Sequence, residues 1–122
     1  MPIGVDGSTN TIKVHIFGNV LLKAEGQNTL KNHGTACIVY HNDESYKEFN
    51  AGDVLVIKEG NDDILQLIKN AKAVVTEESF DSKSVIVAKA LEIPVISHAQ
   101  GATSIIRGGS VITVDASNGY IY

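Results

Sequence analysis

Apolar positions along the chain follow two rhythms. From Thr11 to Phe17 they alternate, with Ile12, Val14 and Ile16 on one face and Lys13 and His15 on the other. That alternation predicts a strand with one wet face. Elsewhere apolar residues come in short unbroken runs: Gly34–Tyr40, Val54–Ile57, Ala73–Val75, Val95–Ile96 and Val111–Val114. These runs are rich in β-branched side chains and predict buried strands. Ile64, Leu65, Leu67 and Ile68 recur instead at helical spacing, behind Asn61 as N-cap and Asp62 and Asp63 in the first turn.

The stretch Val74–Ile96 organises the rest. A strand at Val74 and Val75 leads through a polar loop, Thr76–Ser82, to a helix capped by Asp81 or Ser82 and running to about Glu92. Pro94 ends that helix, because the residue before a proline avoids the helical region. Val95 and Ile96 begin a second strand, so the stretch reads as a parallel βαβ unit. Ala102–Ile106 predicts a short helical turn. Asn118-Gly119 predicts a hairpin turn returning into Tyr120–Tyr122. Gly18–Gly26 reads as extended chain or linker, and His41–Asn50 as a polar surface loop whose acidic stretch Asn42–Glu48 forms a solvated edge.

Composition narrows the function classes. The 122 residues suffice for one domain, and 43% hydrophobic content supports a core. Net charge is −4 without a basic run, which argues against nucleic acid as a partner. No apolar stretch approaches the ~20 residues of a membrane span, and no signal peptide opens the chain, so a cytoplasmic location is expected. The single cysteine, Cys37, sits in an apolar run and is expected to be a small buried hydrophobe. His15, His33, His41 and His98 show no metal-ligand spacing with one another or with Cys37.

The Val74–Ile96 stretch resembles the core of the phosphohistidine swivelling domain of phosphoenolpyruvate-utilising enzymes. That family carries a pattern of the form I-V-T-[DE]-E-G-G-x-T-S-H-A-A-I-V-x-R-x-L-G-I-P-x-V. Counted back from Pro94, Val87, Lys89, Leu91 and Ile93 stand at matching places. Lys83 occupies the position of the phosphorylated histidine, Glu78 and Ser79 replace the paired glycines, and the loop is one residue shorter. The resemblance implies an α/β fold of the swivelling β/β/α type: a mixed sheet with two or three helices.

A second resemblance lies upstream. Gly7, Ser8, Thr9 and Asn10 followed by Ile12, Lys13, Val14 and His15 resemble the last loop and strand of the pyruvate kinase catalytic body. In many such enzymes that loop helps to bind a sugar-phosphate effector. The order of the two motifs matches bacterial pyruvate kinases with an extra C-terminal domain. The expected organisation is therefore 1–17, last strand of the body; 18–33, linker and lead-in; 34–122, extra domain. The resemblance implies that catalysis, with Mg2+ and K+, belongs to an absent barrel, and that no cofactor binds this fragment. The implied partners are the rest of a pyruvate kinase chain and its neighbouring subunits in a homotetramer.

The chemistry expected of the residues follows. In working family members the histidine at the helix head takes a phosphoryl group, with glycines and free amides around the anion. Here Lys83 presents an ammonium, which is no nucleophile. Glu77, Glu78 and Asp81 place three negative charges in the loop; like charges about 5 Å apart at an effective dielectric of about 20 repel by roughly 3 kcal/mol. No phosphocarrier activity is expected, and Lys83 reads as a solvated lysine or as part of a weak anion site with Ser82, Ser84 and His98. Gly7–Asn10 would be the remnant of the effector loop. The rival is a stand-alone module binding a phosphate-bearing metabolite or another anion at Ser79–Val85.

Overall fold

A computed structural model describes residues 20–122. The expected strand Thr11–Phe17, His15 and the effector-loop residues Gly7, Ser8, Thr9 and Asn10 lie outside the described residues. Within them the order is β1 (Leu22–Lys23), β2 (Glu25–Gly26), β3 (Lys31–Val39), β4 (Val54–Ile57), α1 (Asp62–Leu67), β5 (Ala73–Thr76), α2 (Lys83–Ala90), β6 (Val95–Ser97), α3 (Ala102–Ile105), β7 (Val111–Asp115) and β8 (Tyr120–Ile121). Short 3-10 turns occupy Ser45–Glu48 and Ile68–Asn70. The fold is α/β of the swivelling β/β/α type, as the sequence led us to expect, with an eight-stranded mixed sheet and three α-helices among the described residues.

The parallel centre arises from burial on both faces. Strands β3, β4, β5 and β6 pair in parallel, and every residue of β4, β5 and β6 is buried. Their side chains alternate between two cores. Val54, Val56, Val75 and Ile96 face an inner cluster completed by Ile112, Val114 and Ile121. Leu55, Ile57, Val74 and Val95 face a second cluster under the helices, against Ile64, Ile68, Val85 and Ala88. A strand buried on both faces reads as an unbroken apolar run, which is why these segments showed no alternation.

Strands β7 and β8 form the hairpin expected around Asn118-Gly119, and β7 pairs antiparallel with the first half of β3. The strand expected at Gly34–Tyr40 begins earlier, at Lys31, because Lys31–Thr35 pair with β7 before Ala36–Val39 pair with β4. Cys37 departs from the buried position expected of it: it is only partly buried, beside Asp53 and Glu48. Burial pushes its thiol pKa up, and the two carboxylates add to that rise.

The stretch read as linker is part of the sheet. Leu22–Lys23 pair with β8 and Glu25–Gly26 pair with β6, so β1 and β2 end the strand order β1-β8-β7-β3-β4-β5-β6-β2 on opposite sides. Only Ala24 separates them. The sheet therefore curls until its two edges meet along this one segment, which leaves no long open edge there. The backbone bonds Leu21 N–H to Ile121 O (2.7 Å), Ala24 N–H to Gly119 O (2.8 Å) and Gln27 N–H to Val95 O (2.9 Å) fasten the seam.

Helix α2 ends two residues before the expected Glu92. Ile93 N–H reaches Ala88 O and Glu92 N–H reaches Lys89 O, both at 3.0 Å, the double bond of a Schellman end. Glu92 sits there with φ 59, where the resembling pattern has glycine.

Three outcomes follow for denaturant unfolding. A methyl group on Gly26 would stand 1.6 Å from Ala116 O, so Gly26→Ala is expected to lose about 3 kcal/mol or more. Gly108→Ala, whose methyl would meet only Ile38 Cγ1 at 3.5 Å, should stay within about 0.5 kcal/mol. Glu92→Gly relieves a left-handed backbone but adds unfolded-chain entropy, and should gain about 0.5–1 kcal/mol; a loss would show that the Glu92 side chain contributes more than its backbone costs.

Candidate functional site

Helix α2 begins where β5 ends its run across the sheet, with the loop Glu77–Ser82 between them. Ser82 is the N-cap; its hydroxyl accepts from Val85 N–H at 3.4 Å. Asp81, the other candidate, instead accepts from the Ser79 hydroxyl. Lys83 is the first helical residue and is exposed, so the position matched to the phosphorylated histidine stands at the tip of the helix. Among the described residues no hydrogen bond or ion pair engages its ammonium.

Beside this tip is an open pocket of about 310 Å3, shared with the start of α1. Ser82, Lys83 and Ser84 all line it, together with Gly60 and Glu78. His98 does not. Its backbone takes a left-handed conformation (φ 55), its N–H donates to Glu78 O at 2.8 Å, and its Nε2 lies 3.8 Å from Glu25 Oε1. Its ring stands 6.4 Å from that of Phe80. The histidine thus joins the closing strand to the loop, away from the three residues with which it was grouped.

The loop carboxylates have partners that sequence reasoning missed. Glu77 Oε2 accepts from the N–H and the hydroxyl of Thr103, at 3.0 and 2.7 Å, and so ties the loop to the first turn of α3. Partial burial pushes the Glu77 carboxyl up, but the Thr103 and Gly101 donors and Lys58 outweigh it and hold the group below its ordinary value. Glu78 reaches the other way. Its Oε2 accepts from Gly60 N–H at 3.1 Å and its Oε1 from the Thr76 hydroxyl at 2.8 Å, while Thr76 Oγ1 accepts from Glu78 N–H at 3.0 Å. The Thr76-x-Glu78 spacing was the available signal, since a threonine hydroxyl commonly bonds two residues along. Two of the three charges expected to repel an anion are therefore fixed by donors of the fold itself.

Among the described residues no group of three or more histidine, cysteine, aspartate or glutamate side chains is placed to hold a metal ion. No helix among them is long and apolar enough to cross a membrane.

A curled mixed sheet with α1 and α2 on its outer face, and a loop-capped helix at the end of its parallel strands, defines the swivelling class of domain. The chain belongs to the family described as "PEP-utilising enzyme, mobile domain", whose profile matches residues 49–119. It is 36% identical to a pyruvate kinase of Bacillus licheniformis over 98% of this chain and 21% of that protein. It is 39% identical to a probable phosphoenolpyruvate synthase of Staphylothermus marinus over 73% of this chain and 11% of that one. The chain thus spans about a fifth of the length of the pyruvate kinases it matches. Among solved structures, the holo form of Thermococcus kodakaraensis aconitase X shares the fold, with a TM-score of 0.61 and 18% identity over 82% of this chain and 95% of that one.

The Glu77 clamp sets a pH dependence. Because its folded pKa is depressed, its contribution is complete above the ordinary value of 4.5 and is lost as pH falls through the lower folded value. Glu77→Gln should cost about 1–2 kcal/mol at neutral pH, as expected for a bond to a charged acceptor. In urea titrations at a series of pH values this difference should shrink towards zero on the acid side; a difference that does not vary with pH would show that the charge is unimportant.

Proposed function

We propose that the chain is the non-catalytic C-terminal extension of a pyruvate kinase. The observation that carries this reading is the match of 98% of the chain to about a fifth of such an enzyme. In this reading residues 1–17 are the last strand of the catalytic body, with Gly7–Asn10 left from its effector loop, and residues 18–33 lead into the extra domain at 34–122. The domain takes in the closing strand from Leu22 as well, because β1 and β2 complete its sheet. Transfer of phosphate from phosphoenolpyruvate to ADP, with its divalent metal and K+, belongs to the barrel of the longer chain.

The domain's own role is structural: packing against the body or between subunits of a homotetramer in the cytoplasm, and tuning assembly or effector response. Two features support that role. The helix tip offers Lys83 where a phosphocarrier needs an imidazole nucleophile. Phe80, just before α2, and Ile86, on it, are 60% and 56% exposed and offer apolar surface to a neighbour. The second reading, a module that binds an anion at Ser79–Val85, draws support from the pocket at the α2 tip.

The reading frame upstream of this segment should encode a barrel. Deleting residues 20–122 from the full-length enzyme should leave kcat within a factor of about three, less than about 1 kcal/mol of transition-state stabilisation, while altering tetramer stability or the effector response. Incubation with labelled phosphoenolpyruvate and a partner kinase should leave residues 20–122 unlabelled. A frame without a barrel would overturn the pyruvate kinase reading, and stable label within these residues would overturn the non-catalytic one.

A further inference from the structure

The pocket at the tip of α2 has the makings of an oxyanion cradle. The N–H groups of Lys83 and Ser84, in the first turn of an eight-residue helix, lack intrahelical partners, while that of Val85 is taken by the Ser82 cap. Gly60 presents a further N–H from the opposite wall. Ser84 supplies the independent sign of a ligand. The residue is 1% exposed and lines the pocket, yet its hydroxyl has no hydrogen-bond partner among the described residues. It is aimed at Gly60: a methyl group there would lie 2.6 Å from Ser84 Oγ. Buried hydroxyls are nearly always bonded, so an idle one facing a polar pocket marks a place built for a partner.

An oxyanion is already in place, and it is part of the chain. The Glu78 carboxylate accepts from Gly60 N–H at 3.1 Å and from the Thr76 hydroxyl at 2.8 Å, and it lines the same pocket. With Asp62 at the rim, two carboxylates face the single ammonium of Lys83. We propose that Glu78 is a built-in occupant of this cradle, and that it excludes free oxyanions of the phosphate and sulfate class from donors that would otherwise take them. Without Glu78, Gly60 N–H is vacated, Asp62 and Lys83 balance, and the Ser84 hydroxyl has an acceptor to meet. Glu78 holds this position whether or not the chain belongs to a pyruvate kinase, so a negative titration would leave that reading standing.

The test is a titration of the 122-residue chain with inorganic phosphate, read by backbone amide shifts, with sulfate as a second probe. The wild-type chain should show no saturable shift at Gly60, Lys83 or Ser84. E78A should bind at least about tenfold more tightly than wild type, with its shifts confined to those residues. E78Q, which keeps size and one acceptor, should gain less, and it decides the matter if E78A does not fold. Adding S84A to either variant should remove most of the gain. Wild-type binding as tight as that of the variants would overturn the proposal. So would folded E78A or E78Q that binds no better than wild type, or a gain that S84A leaves untouched.

Discussion

Gly26 lies against the carbonyl of Ala116, and Gly119 lies against the carbonyl of Ala24. Neither position has room for a side chain, and together they let one five-residue segment touch both edges of the sheet. Everything else rests on this seam. Closing the sheet creates an inside, where Val54, Val56, Val75, Ile96, Ile112 and Ile121 pack away from water. It leaves the outer face of the parallel strands to α1 and α2, and that second layer fixes where the α2 tip stands. Burial of the strands on both faces is the largest favourable contribution available to a chain of this size, and it exists only while the seam holds.

The seam also reaches the candidate site. Gln27 donates to the Ser97 hydroxyl at 2.8 Å, Asn28 donates to Ile93 O at 2.9 Å, and Glu25 faces His98. His98 in turn donates its N–H to Glu78 O. The segment by which the chain enters the domain is therefore bonded to the end of β6 and, through it, to the loop that carries Glu77 and Glu78. Both carboxylates then fasten that loop outward, one to α3 and one to Gly60. The loop before α2 is held on three sides by groups belonging to the chain.

The sequence made the βαβ unit plain, because a strand buried on both faces must be apolar throughout and a helix needs a cap. Ser82, Asn61 and the Asn118-Gly119 turn all stand where their local chemistry placed them. The closing strand was not legible. Two residues on each side of Ala24 are too few to show a period, and Lys23, Glu25 and Gly26 are individually poor strand formers. What fixes them is the approach of distant backbone, which leaves its trace only as glycine. The site was legible in position and not in content. Lys83 stands at the helix head and lines one pocket with Ser82 and Ser84, but His98 points elsewhere. The acidic loop looked like loose charge because a carboxylate's distant donors, Gly60 N–H and Thr103, cannot be read from its neighbours.

The replacement of the two glycines by Glu78 and Ser79 and the presence of Lys83 at the tip have one physical consequence in common. Glycine keeps a loop open for a close-lying anion and leaves its order dependent on that anion. Glu78 instead brings its own carboxylate to Gly60 N–H and the Thr76 hydroxyl, so this part of the loop is fastened by the chain itself. Lys83 stands exposed at the tip and lines the same pocket as Asp62 and Glu78. The loop is fastened by the chain's own groups, on the Gly60 side by Glu78 and on the α3 side by Glu77, and this needs no change to the strands or helices that support it.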